Sequence, residues 1–193
     1  MAGPSEAWVA KIYHWPTATV TYWVNPLNDD GMLEADVISA MQQAASAWST
    51  QAHPAVALSY AGTTTVRAVG RDRVNNVFFR PESSGATMAV TYWWYDSSGH
   101  LVDFDILFFD AGFRFFATPT GCSGGDYVLD VATHEFGHGL GLSHSAVGAA
   151  TMWPSTGVCS TAWRSLDADD VAGIQAQYPG PRPRQPWTLG VGR

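Results

Sequence analysis

The stretch His134-Glu135-Phe136-Gly137-His138-Gly139-Leu140-Gly141-Leu142-Ser143-His144 decides the fold of this chain. Residues four positions apart lie about 40° apart around an α-helix of ~3.6 residues per turn, so His134 and His138 point in the same direction. One metal ion could therefore bind both imidazoles. We expect Gly141 to end the helix in a strained or left-handed turn, which would bring His144 back as a third nitrogen ligand.

Three histidine ligands suit zinc and leave its fourth coordination position open, which is typical of catalytic rather than structural zinc sites. Glu135 follows the first histidine on the same helical turn, where its carboxylate could reach a water molecule at the metal without being a ligand. The pattern therefore predicts one catalytic Zn²⁺, with Glu135 as general base and then general acid. The alternative, that these are ordinary core or solvated histidines, requires the full eleven-residue pattern to arise by chance.

A methionine follows the third histidine, in Ala150-Thr151-Met152-Trp153-Pro154. In isolation Met152 would be an ordinary core residue. After this histidine motif, however, the segment resembles the Met-turn of the metzincin metalloproteases, whose methionine packs beneath the zinc ligands. The segment 166–175 and Ser145, directly after His144, are similar to the matrixin subgroup, the matrix metalloprotease-like catalytic domains. The short connecting segments resemble its bacterial or archaeal type.

The resemblance covers residues 8–178 and is dense from residue 130 onward. It implies an α+β fold of the metzincin (zincin-like) type, with a twisted, mostly parallel sheet, a long first helix, a zinc-binding active-site helix and a small irregular C-terminal lobe that ends in a helix. The expected division of the chain is an N-terminal extension at 1–7, a catalytic domain at 8–180 with its lobes meeting near 143 and 144, and a Pro/Arg-rich tail at 181–193.

The same resemblance implies where a protein or peptide substrate would bind. Metzincin substrates run extended beside an edge strand, for which the candidates here are Met88, Ala89, Val90 and Thr91. The S1′ pocket is expected between the zinc helix and the following loop, where the candidates are Trp153, Val158 and Trp163. These side chains predict a mainly apolar pocket and a hydrophobic residue just after the cleaved bond; alternatively, the tryptophans belong to the core.

Two acidic residues open the last predicted helix. Paired acids at a helix start usually complement the helix dipole. The resemblance implies more for Asp170, whose carboxylate is expected to hydrogen-bond the Met-turn backbone. In matrixins the first acid of the pair, here Asp169, can bind the mature N-terminal ammonium, and this role does not carry over because Met1 need not be the natural N-terminus.

The two cysteines, Cys122 and Cys159, flank the zinc motif. Both fall in Gly/Ser-rich loops that the implied fold would bring near the active site, so we expect a disulfide, and a disulfide would imply secretion. The alternatives are a free buried thiol and a thiolate that blocks the zinc.

Metals beyond the catalytic zinc have little support in the sequence. The other histidines, His14, His53 and His100, are scattered, so we predict no second zinc site. Asp103, Asp105 and Asp110 could offer carboxylates to Ca²⁺, but their spacing is not that of an EF-hand. The simpler interpretation is that they are solvated acids at strand ends.

Composition limits the remaining classes of function. The chain has 193 residues, which suits one domain with a sizeable core, and nine tryptophans with 46% hydrophobic residues exclude disorder. A net charge of −7 provides no basic surface for nucleic acid or an anionic membrane. No apolar run approaches the ~18 residues of a transmembrane helix. We expect a secreted monomer.

Periodicity predicts the elements around the motif. Runs of β-branched and aromatic residues predict strands at 17–24, 56–60, 65–69, 76–79, 87–95 and 102–109. Apolar residues at helical spacing predict helices at 32–49, 127–140 and 167–177. Asp126 or Asp130 is expected to complement the exposed amides at the start of the zinc helix.

Two rival functions remain open on sequence grounds. One is a zinc-retaining module that binds a peptide in the groove without cutting it. Glu135 and Met152 argue against it, because a module without catalysis has no chemical need for a carboxylate beside the water. The other is a zinc hydrolase acting on a non-peptide amide, which a long edge strand beside the zinc would disfavour.

Overall fold

A computed structural model describes residues 13–52 and 55–180 of the chain. The predicted N-terminal extension at 1–7, the tail at 181–193 and His53 lie outside the described residues.

A five-stranded sheet forms the upper part of the molecule. Its strands are β1 (Thr19–Val24), β2 (Ala57–Thr63), β3 (Asn76–Arg80), β4 (Ala89–Tyr95) and β5 (Leu101–Phe109). Their spatial order is β2-β1-β3-β5-β4, and every neighbouring pair is parallel except β4 with β5. The predicted mostly parallel sheet is therefore confirmed, and its one antiparallel strand, β4, lies at an edge.

Three helices and a small two-stranded sheet complete the described part of the fold. The helices are α1 (Glu34–Gln51), α2 (Val128–Gly139) and α3 (Ala168–Gln177), and the short strands are β6 (Phe115–Phe116) and β7 (Asp126–Tyr127). α1 is the predicted long first helix and α2 the predicted zinc helix. The expected α+β fold is thus confirmed, with boundaries that differ by one or two residues at most helix ends.

The main core lies between the inner face of the sheet and the helices α1 and α2. Alternate residues of β5, Phe104, Ile106 and Phe108, point into this core and are fully buried. From the helix side, the Trp48 indole packs into the same core and its Nε1 donates a hydrogen bond of 2.6 Å to the Thr133 carbonyl on α2. The position of α2, and with it the site, is therefore set by apolar burial against the sheet.

The predicted strand at 65–69 is wrong. These residues lie in an irregular segment because their backbone groups bind side chains instead of a neighbouring strand. The Asn25 amide donates to the Val66 carbonyl, and the Gly70 N–H donates to the Asp105 carboxylate. The segment therefore crosses the outer face of the sheet and covers Asp105. Asp103 and Asp110 are buried as well, so the prediction that these three acids are solvated at strand ends is wrong.

Side chains from near both ends of the described chain cap the C-terminus of α2. The Trp15 indole donates to the Gly139 carbonyl at 2.8 Å, and the Tyr178 hydroxyl donates to the Leu140 carbonyl at 2.7 Å. These bonds satisfy carbonyls that a helix end leaves without an intrahelical partner. Within the described residues, none of the helices combines the length and apolarity needed to cross a bilayer.

Candidate metal centre

His134, His138 and His144 converge at one end of α2. Their potential ligand atoms all lie within 4.8 Å of one another, and the three ring centroids are 4.8 to 5.3 Å apart. Gly141, at φ +93°, makes the turn that brings His144 back to the helical pair, as expected. A side chain could not replace it, because a Cβ there would lie 2.6 Å from the Tyr13 carbonyl oxygen.

Backbone carbonyls orient two of the imidazoles. The His134 Nδ1–H donates to the Thr151 carbonyl at 2.7 Å, and the His138 Nδ1–H donates to the Leu142 carbonyl at 2.8 Å. Because a carbonyl only accepts, the proton of each neutral ring is on Nδ1 and the Nε2 lone pair remains for a metal. Burial lowers the pKa of His134 to about 4, which keeps this ring neutral at neutral pH. The donor set therefore fits zinc.

Met152 packs directly against the zinc helix. A Cβ on Gly137 would meet the Met152 Sδ at 2.3 Å and the Trp48 ring at 2.6 Å, so only glycine fits between them. The buried Asp170 carboxylate holds this turn by accepting hydrogen bonds from the backbone of Thr151, at 2.6 Å, and Met152, at 3.0 Å. Met152 and Asp170 thus hold residues 151 and 152 against α2, where the Thr151 carbonyl also binds His134.

Glu135 is buried beside the three imidazoles without belonging to their ligand cluster. Its Oε2 accepts a hydrogen bond of 2.6 Å from the Thr91 hydroxyl on the edge strand β4. The sequence interpretation placed Thr91 on an edge strand and did not foresee this contact, because nothing in the local pattern links the two segments.

An open cleft of about 350 Å³ runs along the site. All four edge-strand candidates, Met88 to Thr91, line it together with the three histidines and Glu135. Of the S1′ candidates, Trp163 lines the cleft, stacked on the His134 ring at 4.6 Å. The structure does not bring Trp153 or Val158 to the lining: Trp153 is half-buried and Val158 is 70% exposed. Pro154, which the sequence interpretation missed, lines the cleft instead.

Asp130 fixes the loop that carries Trp163. Of the two expected acids, Asp126 and Asp130, Asp130 lies in the first turn of α2, but no side chain makes a capping hydrogen bond there. The buried Asp130 carboxylate accepts from the backbone of Trp163, at 3.0 Å, and from the backbone and guanidinium of Arg164. The sequence did contain one signal: Asp130 lies among apolar residues at the start of α2, and a buried charge needs a partner. The sequence could not name that partner.

Cys122 and Cys159 form a disulfide. It joins the segment before α2 to the loop after the Met-turn, and the Cys159 N–H donates to the Gly125 carbonyl beside it. The expected pairing, which the resemblance implied, is therefore present.

The acids considered for calcium are used as backbone anchors. Asp103 and Asp105 accept from the amides of Arg73 and Gly70, and Asp110 accepts from the Asp29 amide. Among the described residues, the three zinc-site histidines are the one group of at least three potential ligands close enough to share a metal.

Comparison with known proteins agrees with this geometry. Macrophage metalloelastase of Oryctolagus cuniculus is 48% identical over 62 residues, which are 32% of this chain and 13% of that protein. Neutrophil collagenase of Homo sapiens is 45% identical over 69 residues, or 36% of this chain and 15% of that protein. Matrilysin of Mus musculus is 52% identical over 50 residues, or 26% and 19%. The aligned part of the chain spans less than a fifth of the length of each of these relatives.

The sequence pattern of one family, Matrixin, matches residues 14–179. This match runs through the sheet, the zinc helix, the Met-turn and α3. The chain therefore belongs to the matrixin family of zinc metalloendopeptidases.

Proposed function

We propose that this chain is an endopeptidase that hydrolyses peptide bonds in proteins with the help of one zinc ion. The observation that carries the proposal is the convergence of three imidazoles, within 4.8 Å, beside a buried carboxylate in an open cleft. The disulfide and the Met-turn contacts support it, because they hold in place the segment after His144, which contributes Pro154 and Trp163 to the cleft.

His134, His138 and His144 would hold the ion. Zinc bound there supplies Lewis acidity, which lowers the pKa of a water molecule toward neutrality and polarises the scissile carbonyl. The carbonyls of Thr151 and Leu142 keep the first two rings in the orientation and tautomer that a ligand needs.

Glu135 moves the proton. Its carboxylate accepts a proton from the attacking water and then delivers that proton to the nitrogen of the leaving amine. Burial beside the histidines keeps this carboxylate in a water-poor environment, where its interactions with the reacting groups are stronger than in bulk water.

An extended substrate would lie along β4. Among the described residues this strand pairs with β5 alone, so its outer backbone groups can add a peptide strand. Val131, on the zinc helix, and Trp163 line the cleft with apolar surface. Their position supports a preference for a hydrophobic residue just after the cleaved bond.

The localisation and the partners of the protein are inferred from fewer features. The disulfide supports a secreted protein, because disulfides persist in oxidising compartments. The net charge of −7 favours protein over nucleic-acid partners. A monomeric state, the lobe boundary near residue 143 and a bacterial or archaeal type stay predictions.

Incubation of the zinc-loaded protein with unfolded casein tests the proposal. We expect cleavage that a chelator abolishes and zinc restores, and a Glu135→Gln variant that keeps its zinc while kcat falls by about 10²- to 10⁴-fold. Mass-spectrometric profiling of cleaved peptide libraries would then give the residue preferred after the scissile bond. Peptide binding without cleavage by the zinc-loaded wild type would instead support the binding module, and turnover of non-peptide amides alone would support the other rival.

A further inference from the structure

Thr91 connects the edge strand to the catalytic carboxylate. Its Oγ1 lies 2.6 Å from the Glu135 Oε2 and 3.0 Å from the Glu135 carbonyl oxygen. A hydroxyl has one hydrogen to donate, and an ionised carboxylate is a stronger acceptor than a carbonyl. The shorter contact therefore holds that hydrogen when Glu135 is ionised.

The hydroxyl is held in a rigid position. Thr91 pairs with Ile106 in the β4–β5 ladder, and Ile106 is fully buried in the core. Threonine is branched at Cβ, which restricts rotation about its χ1 angle. The side chain faces α2, as does that of Ala89 two residues earlier, since alternate residues of a strand share a face.

A fixed donor makes the two oxygens of the Glu135 carboxylate unequal. Oε2 is engaged by Thr91 both before and after the proton arrives, because a protonated carboxyl group still has an acceptor oxygen. The hydrogen bond that Thr91 donates to the ionised carboxylate makes Oε2 the weaker base of the two oxygens. Proton transfer therefore falls to Oε1.

We propose that Thr91 is a positioning residue for Glu135, one whose hydroxyl binds Oε2 and so directs proton transfer to Oε1. In the first step an O–H bond of the water breaks and an O–H bond forms at Oε1. In the second step that new bond breaks as the same proton passes to the leaving nitrogen. The inference rests on the proposed endopeptidase activity for its kinetic consequence only, since the orientation of the carboxylate is a structural property.

The arrangement couples substrate binding to proton transfer. A peptide added to β4 would pair with the strand that also carries the Thr91 hydroxyl. The same strand, β4, would thus align both the scissile bond and the general base Glu135. Small errors in such alignment are costly in rate.

Three variants test the proposal kinetically. Thr91→Val replaces the hydroxyl by a methyl group of similar size and suits a strand. Thr91→Ser keeps the hydroxyl. Thr21→Val is the matched control, because Thr21 is an exposed strand residue of β1 outside the cleft. Each would be compared with the wild type for kcat and KM on a fluorogenic peptide derived from a casein cleavage site, for zinc content and for Tm.

We expect Thr91→Val to lower kcat by about 10- to 100-fold while KM stays within about threefold and zinc content is unchanged. Thr91→Ser should keep kcat within about threefold of the wild type, and Thr21→Val should match it. An unchanged kcat in Thr91→Val, or an equal loss in Thr91→Ser, would overturn the proposal. Should the valine variant misfold, Thr91→Ala removes the hydroxyl without adding bulk and carries the same expectation.

Crystal structures of the zinc-loaded wild type and Thr91→Val provide a readout that does not depend on turnover. We expect the Glu135 Oε2 within hydrogen-bond distance of Thr91 in the wild type, and a rotated or multiply occupied carboxylate in the variant. A wild-type carboxylate turned away from Thr91 overturns the inference even if casein is cleaved. If casein is not cleaved but this contact is present and is lost in the variant, the proposed function fails and the positioning of Glu135 by Thr91 stands.

Discussion

The sheet and the segment below the zinc helix are held together in different ways. In the sheet, many apolar side chains such as Phe104 and Phe108 share the stabilisation, and each is one of a large buried set. The segment from 143 to 167 forms neither helix nor strand. Its position depends on a few polar anchors and one cross-link: Asp130, Thr151, Asp170 and the Cys122–Cys159 disulfide.

The two regions should therefore respond differently to single substitutions. When one apolar group is removed from the sheet, its many packed neighbours still hold the surrounding residues in position. When one anchor below α2 is removed, a long segment that lines the cleft loses its fixed position. We therefore expect the largest single-site effects at the anchors, followed by smaller ones at the junction with α2 and on the outer face of the sheet.

The largest effect is expected for Asp130→Ala. It leaves the partly buried Arg164 guanidinium without its carboxylate and two backbone N–H groups without an acceptor. Loss of one partner of such a pair costs about 4 kcal/mol of unfolding free energy. Urea denaturation would measure it, and the loss of the Trp163–His134 stacking should also change tryptophan fluorescence.

A double variant sharpens this test. Asp130→Leu combined with Arg164→Leu removes both charges, so it should recover about half of the loss while the backbone N–H groups stay unpaired. If Asp130→Ala alone lowers the unfolding free energy no more than an exposed surface substitution does, Asp130 does not hold this loop. The proposed difference between the two regions would then be wrong.

The next largest effect is expected on removal of the disulfide. The two cysteines are 37 residues apart, and all three zinc ligands lie between them. Without the cross-link the unfolded chain gains conformational entropy, which costs about 3 kcal/mol of stability. Replacement of both cysteines by serine should lower Tm, and reduction of the wild type should reproduce the loss. Equal Tm values with and without the bond would contradict the prediction.

The same contrast explains what the sequence could predict. The zinc ligands and α2 were predictable because their signal is local: a four-residue spacing on one helix and a glycine turn at Gly141. The strand pattern was equally local. The partner of Asp130 lies 34 residues away in an irregular loop, and no periodicity connects the two.

One error has the same origin. Residues 65–69 have strand composition, yet buried polar groups such as Asp105 capture the backbone of this segment from a distance. β-propensity describes a fit to a half-buried surface, so such tertiary contacts override it. Local composition predicted a strand that includes Thr91, and the resemblance predicted that it is an edge strand, but its contact with Glu135 depends on the packing of β4 on α2.

A smaller effect is expected at the junction of the two regions. Gly137→Ala adds a methyl group 2.3 Å from the Met152 Sδ and 2.6 Å from the rigid Trp48 ring. The clash should outweigh the better helix propensity of alanine and cost about 2 kcal/mol. Gly148→Ala is the matched control, because a Cβ there meets no atom within 4 Å. A Gly137→Ala variant as stable as Gly148→Ala would show that Met152 is not confined against α2.

The smallest effect concerns Asp105 on the outer face of the sheet. Burial raises the pKa of Asp105 to about 6, against the influence of the amides of Gly70 and Asn76 that bind its carboxylate. In the unfolded chain this pKa is near 3.9, so between these values the folded state holds more protons and its stability increases as pH falls. The contribution is present below about pH 4 and is lost as pH rises through 6.

Asp105→Asn should isolate this contribution. The difference in unfolding free energy between the metal-free wild type and the variant should shift in favour of the wild type by about 1 kcal/mol from pH 7 to pH 5. Urea denaturation at several pH values measures it, and a constant difference would contradict the prediction. The sign matters for the comparison. Burial raises the pKa of both carboxylates, but below α2 the Arg164 guanidinium opposes the shift of Asp130, whereas Asp105 anchors its segment through uncharged donors alone.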